Sequence, residues 1–302
     1  MPAAPNDIFE TGDNSSSYAV KNLSYWKDAL IRFKQNKWAA FGIIILTLLF
    51  LGATFGPFLT PYTYYETHLS LKNQPPSSSF WFGTDELGRD LFTRIWWGAR
   101  ISLFIGISAA LIDMLIGVFY GAFSALMGGR IDELLMRLAD IFYSLPNLLI
   151  VILLMVIMGP GITTIIAAMA LTGWINMARI VRSQILSLKE HEFVIAAIAL
   201  GSKKSRVLLR HLIPNAMGSI LTTMTFTIPI AIFTEAFLSF LGLGVQAPIA
   251  SWGTMVNDGL SALRYYPWRL FFPAGFISIT MLAFNFVGDG LRDSFDPRLR
   301  NE

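Results

Sequence analysis

The 302-residue chain is 54% hydrophobic and only 14% charged, with 24 Phe and 8 Trp. Soluble domains carry about 25% charged residues, so this composition excludes a soluble enzyme, a disordered chain and a nucleic-acid binder, and a net charge of +3 is too small to call for a polyanionic partner. Cysteine is absent, which also removes a disulfide framework, a thiolate metal site and a cysteine nucleophile, and leaves a polytopic membrane protein.

Residues 1–37 are polar and end in a basic stretch with Lys27, Arg32, Lys34 and Lys37, so they are expected to form a cytoplasmic N-terminal segment. A secretory signal places its apolar run near the start. Here the first run comes late, over 38–60, and leaves through Pro57 and Pro61, which predicts an uncleaved first transmembrane helix. Residues 61–97 follow as an extracytoplasmic loop. Arg100 to Arg130 encloses 29 residues interrupted only by Asp113, a second span. Asp140 to Arg179 encloses 38 uncharged residues, roughly 57 Å of helix and nearly two crossings of a 30 Å core. The sequence Met158-Gly-Pro-Gly161 divides this run into spans three and four. Arg210 to Glu235 holds a fifth span and Leu270 to Gly288 a sixth, and residues 294–302 form a cytoplasmic tail. The fold class is therefore all-α, with six transmembrane helices.

Orientation follows from Lys and Arg in the short loops. With both termini inside, the inner segments hold 17 basic residues and the outer segments six. Residues 179–214 form the longest inner loop, with seven Lys or Arg around the apolar run Phe193 to Leu200. Gly201 stands where a helix should end, and Ser202 where a second short helix, 203–212, should be capped before Pro214. Two readings stay open from pattern alone. The corner docks into a groove on another protein, with Ala196, Ala197 and Leu200 on one face. Alternatively, it lies as an amphipathic helix on the anionic leaflet.

Chemistry of other kinds finds little support. Gly83 and Gly88 have the gap of a phosphate loop, but Arg89-Asp90 stand where Lys-Ser/Thr is needed. His68, His191 and His211 are too far apart for a zinc site, and no Gly-x-Ser-x-Gly elbow is present. Gly117 and Gly121 form a GxxxG pair, which reads as close helix packing.

The segment Ile195-Ala-Ala-Ile-Ala-Leu-Gly201, followed after nine residues by His211-Leu-Ile-Pro214, resembles the EAA loop of ABC-importer permeases. Ala196, Ala197, Gly201 and Pro214 match that pattern, whereas Ile195, His211 and Ile213 replace its Glu, Ile and Leu. Phe82-Gly-Thr-Asp-Glu-Leu-Gly-Arg-Asp90, Gly98-Ala-Arg-Ile-Ser102, Phe240-Leu-Gly-Leu-Gly244, Ser251-Trp-Gly253 and Asn285 to Asp293 are similar to stretches of peptide-importer permeases. Together they place the resemblance in the peptide and nickel family, at the second of its two permease types.

That resemblance implies a type I ABC-importer transmembrane architecture, with a permease core over 98–293 containing five transmembrane helices and the coupling loop 179–214. It implies a homologous second permease, two ABC ATPases, an extracytoplasmic peptide-binding protein and an oligopeptide substrate in the bacterial plasma membrane. The chain itself is expected to bind no cofactor, ATP and Mg being used by the partner ATPases, and to be no enzyme. Coupling would fall to Ala196, Ala197, Leu200, Gly201 and Pro214. A dipeptide or nickel permease is the alternative within the family, and a secondary transporter the alternative outside it. Asp113 and Glu235 lie within spans, where a charge costs about 2.5–3.5 kcal/mol. They are candidates to line the passage, or else to make structural contacts.

Overall fold

The computed structural model describes residues 25–296, which contain helices and no β-strand beyond one isolated bridge, Thr84 to Asp90. A short amphipathic helix, α1 (Tyr25–Gln35), precedes α2 (Lys37–Phe55). Asn36 separates them, its side chain accepting the N–H groups of Trp38 and Ala39 at 3.0 and 3.1 Å. The first span closes in a 3-10 turn, Gly56–Phe58, two residues before the expected end at 60.

The second span, α3 (Leu91–Met127), is 37 residues long, about 55 Å at 1.5 Å per residue. It begins at Asp90, whose carboxylate accepts the Thr93 N–H at 2.8 Å and the Thr93 hydroxyl at 2.7 Å. Helix therefore starts seven residues before the boundary expected at 98. It ends at Gly128 and Gly129, with φ of +67° and +54°, a left-handed backbone that glycine adopts without a Cβ penalty.

The third span differs from expectation. Instead of one helix over 141–158, α4 (Gly129–Ser144) and α5 (Asn147–Met158) are bent by 79°. Pro146 explains the bend, because it pushes Leu145 out of helical conformation and brings no N–H of its own. Among the described residues, five helices are long and apolar enough to cross a membrane, and the bent pair makes six if it counts as one span. Glycine and proline end α5 at Met158, as the sequence indicates, and α6 (Ile162–Thr172) runs on through Gly173 into α7 (Trp174–Lys189).

Next comes α8 (Glu192–Ala199), then α9 (Lys204–Val207), a π-helical turn (Leu208–Leu212) and α10 (Ile213–Phe240). The separate short helix expected to stop before Pro214 is not formed. The fifth span is continuous from Lys204 to Phe240, with the Ile213 N–H reaching back to the Leu208 carbonyl. The widened turn fits Pro214 in the first turn of α10, where a missing N–H is tolerated. Ser202 is not the N-cap either: Lys203, in extended conformation, holds that place. A last short helix, α11 (Trp252–Leu260), is closed by a Ser251–Thr254 capping box, and α12 (Trp268–Phe295) completes the bundle.

The core is built by α3 against α7 and α10, with α12 against α2 and α10. Small residues set the spacing. A Cβ at Gly121 would run into the Ala178 backbone, and one at Gly117 into Met177 and the Trp174 carbonyl. The GxxxG pair thus packs α3 onto α7 at backbone distance.

Candidate functional site

The turn between α8 and α9 follows from Gly201. Its φ is +82°, its N–H bonds the Ile198 carbonyl at 2.9 Å, and the Ser202 N–H bonds the Ala197 carbonyl at 3.1 Å. These two bonds form a Schellman closure of α8. A single fully buried residue anchors the helix: Val194 inserts among Ala122, Ala125, Val181, Ile185, Val207 and Leu212. Ala197 packs half-buried against the same cluster, whereas Phe193, Ile195, Ala196 and Ile198 are exposed. Leu200 at the tip is 87% exposed.

Lys203, Lys204 and Arg206 flank this apolar knob. A short helix with one buried anchor, a rigid glycine exit and an apolar outer face can dock into a groove and pass a push to α7 and α10. Pro214 does not share the surface, being one of the first residues of α10.

The two intramembrane carboxylates are not brought together. Asp113, on α3, is 5% exposed and lies against Gly173, at the junction of α6 and α7. Glu235, on α10, is fully buried. It accepts hydrogen bonds from Ser102 of α3 at 3.1 Å and from Ser239 at 2.8 Å. The Ser102 hydroxyl in turn accepts the Trp252 N–H at 3.1 Å. Both side chains are buried between helices of this chain, and Glu235 is bonded there to two serines.

We therefore expect Glu235→Ala to cost roughly 2–4 kcal/mol, from a cavity and two unpaired hydroxyls, read as a lower unfolding midpoint in detergent. Glu235→Gln keeps an acceptor and should lose little. A Gln variant of normal stability that fails to transport would instead restore a passage role.

A groove of about 730 Å³ that sequence reasoning missed lies beside α10, against α7 and the end of α12. Asn215, Ser219, Thr222 and Thr223 of α10 line it, facing Gln184 and Ser187 of α7. These α10 residues recur at helical spacing, a signal present in the sequence but hidden when only charges are scanned for function.

The loop around Gly83 and Gly88 is a turn closed by carboxylates. Asp85 accepts the N–H groups of Leu87 and Arg89 at 2.9 Å each and pairs with the Arg89 Nε at 2.6 Å. The donors that a phosphate would require are thus already taken. Arg94 donates to the Tyr64 carbonyl, and Arg269 ties Asn73 and Glu86 to the Asp258 carbonyl at 3.1–3.2 Å. Burial pushes the Asp258 carboxyl up from its ordinary value, against the pull of Arg94. The turn braces the start of α3 at the end of the bundle opposite α8.

A family model described as "binding-protein-dependent transport system inner membrane component" matches residues 114–301. A second, the "N-terminal TM domain of oligopeptide transport permease C", matches residues 24–76. The oligopeptide transport system permease protein OppC of Bacillus subtilis (strain 168) is 59% identical over 99% of this chain and 100% of its own length. The dipeptide transport system permease protein DppC of the same organism is 56% identical, covering 96% of this chain and 91% of its own. OppC of Escherichia coli (strain K12) is 42% identical over 96% of this chain and 97% of its own. An inward-facing structure of the MetNI methionine ABC transporter aligns with a TM-score of 0.56 at 16% identity, over 66% of this chain and 94% of that one. At that identity the likeness concerns the fold.

Proposed function

The chain belongs to the family of binding-protein-dependent transport system inner membrane components, and from that premise we propose that it is one of two permease subunits of an ATP-driven oligopeptide importer. The observation that carries the mechanism is the corner at Gly201, an apolar knob anchored by the fully buried Val194 with Ala197 beside it, and continuous with two spans. A second, homologous permease would complete the pathway. Two ATPases would receive the corner, and an extracytoplasmic binding protein would deliver the peptide. ATP and Mg belong to the ATPases in this reading.

The 17-to-6 distribution of basic residues supports placing both termini in the cytoplasm, on the side of the corner. Closure of the ATPases moves the corner, and the rigid seam between α3 and α7 carries that motion across the bilayer. The central cavity then opens alternately outward and inward. The groove beside α10, rather than Asp113 or Glu235, supplies polar lining on the inner side. Its hydroxyls and amides suit the peptide backbone, which all substrates share, and leave selection of side chains to the binding protein. The dipeptide permease relative, nearly as similar as the oligopeptide one, favours short peptides as the second reading.

Uptake of labelled peptides in cells carrying the whole transporter tests the proposal. We expect transport of short peptides to persist under a proton ionophore and to stop on ATP depletion, since a primary pump draws nothing from the ion gradient. Uptake that collapses with the ionophore while ATP is maintained would identify a secondary transporter.

A further inference from the structure

The last two turns of α7 before the corner carry a polar fastening that the packing of the spans does not require. Asp132, near the start of α4, accepts Arg182 of α7 through both carboxylate oxygens, at 2.6 Å from Nε and 2.5 Å from Nη2. The same carboxylate takes the hydroxyl of Ser124, at the end of α3. Seven residues beyond Arg182, Lys189 donates to the carbonyl of Ala125. One carboxylate thus joins the end of α3, the start of α4 and the segment of α7 that leads into α8.

We infer that the Asp132–Arg182 pair is a positioning contact for transport, fixing the direction in which the corner at α8 moves relative to α3 and α4. The inference rests on the importer reading given above. Its physical basis is the difference between the two kinds of contact on the same seam. Gly117, Gly121, Met177 and Ala178 bring α3 and α7 together as small and apolar surfaces, which hold distance but have no directional bonds. A guanidinium held by both oxygens of a carboxylate has one orientation. It therefore fixes the rotation of α7 about its own axis, and with it the heading of α8.

The Arg182 side chain is 32% exposed and that of Asp132 8%, so losing the two-pronged pair carries some stability cost, for which the variants are checked by assembly and basal hydrolysis. The buried apolar seam already holds the helices together, so the pair can be removed without dismantling the bundle. What should be lost is fidelity of transmission. The corner would still receive the ATPase, but rotation of α7 would absorb part of its motion.

The test uses the complete transporter in proteoliposomes, with labelled peptide and purified binding protein, comparing wild type with Arg182→Gln, Asp132→Asn and the charge-conserving Arg182→Lys. We expect the ATPases and second permease to co-purify in all four and basal ATP hydrolysis to be retained. In the Gln and Asn variants uptake should fall about tenfold, within the range of ordinary coupling energies, so that ATP consumed per peptide rises in step. Arg182→Lys should recover part of the loss, because charge returns without the fork. Uptake at wild-type level in Arg182→Gln and Asp132→Asn overturns the inference. So does a loss that merely follows lost assembly or lost basal hydrolysis, which would make the pair structural. The wild-type arm separates the two claims: if it shows no ATP-dependent peptide uptake, the importer reading itself fails and this inference with it.

Discussion

Replacing Gly201 by aspartate is expected to abolish peptide uptake while leaving the chain in the membrane. Gly201 has φ +82° and nothing within 4 Å of the position a Cβ would take. A side chain there meets no clash, and its direct cost is the left-handed backbone, about 1 kcal/mol. That is too little to remove a bundle of this size from the membrane. The carboxylate would, however, sit on the tip that must enter an apolar groove, where an unpaired charge is costly to desolvate.

Three companions sharpen the expectation. Gly201→Ala carries only the backbone cost and should retain most uptake. Ala196→Arg, on the exposed face of α8, should fail as Gly201→Asp does, and it is a cleaner test than Ala197, which is half-buried against the core. Lys203→Glu changes charge beside the knob without altering its shape and should do much less. If the segment merely lay on anionic lipid, the order would reverse, because lipid attraction depends on basic charge. Uptake at matched membrane abundance decides between the two orders.

Substituting leucine for Gly121 should have the largest effect on stability. A Cβ at Gly121 collides with the carbonyl, C and Cα of Ala178, and backbone cannot move aside as a flexible side chain can. Overpacking a core typically costs 1–3 kcal/mol, and here four heavy atoms must enter a seam closed to one. We expect separation of α3 from α7, loss of the pocket that seats Val194, and a chain cleared from the membrane or unfolding far earlier in detergent. Gly275→Leu is the control, since Gly275 has open space at its Cβ and no positive φ. Thermal unfolding of the two variants side by side checks this, and equal midpoints would contradict close packing at Gly121.

These variants also show what could be read before the fold was known. The charge-free runs located the spans because a lipid core forbids unpaired charge and open backbone alike. Gly201 was legible for a local reason, a helix followed by a glycine that can close it. Pro146 was overlooked inside an apolar run, where hydropathy counts it as neutral although it bends the third span by 79°. Pro214 misled in the other direction. It was expected to end a helix, yet the π-helical turn before it lets the helix continue.

The polar sites were harder, because their partners lie far along the chain. Asp113 and Glu235 stood out as charges in apolar sequence, but nothing near them announced that Ser102 would bond Glu235 or that Gly173 would receive Asp113. Asp132 and Arg182 are 50 residues apart, and their bond exists only because the seam at Gly117 and Gly121 aligns α3 with α7. The groove beside α10 escaped attention for a chemical reason. Hydroxyls are common in membrane helices, where they bond the carbonyl one turn back, as Thr223 does to Ser219 at 2.8 Å, and so they do not look out of place.

The most direct test of the coupling role uses the natural absence of cysteine. A single cysteine at Leu200, the 87% exposed tip of the corner, can be given a short thiol-reactive photo-crosslinker in membranes that contain the whole transporter. The account predicts a one-to-one adduct with an ATPase subunit, lost in Gly201→Asp, and no labelling of that cysteine by an impermeant thiol reagent added outside intact cells. Adducts with lipid alone, or labelling from outside, would contradict it.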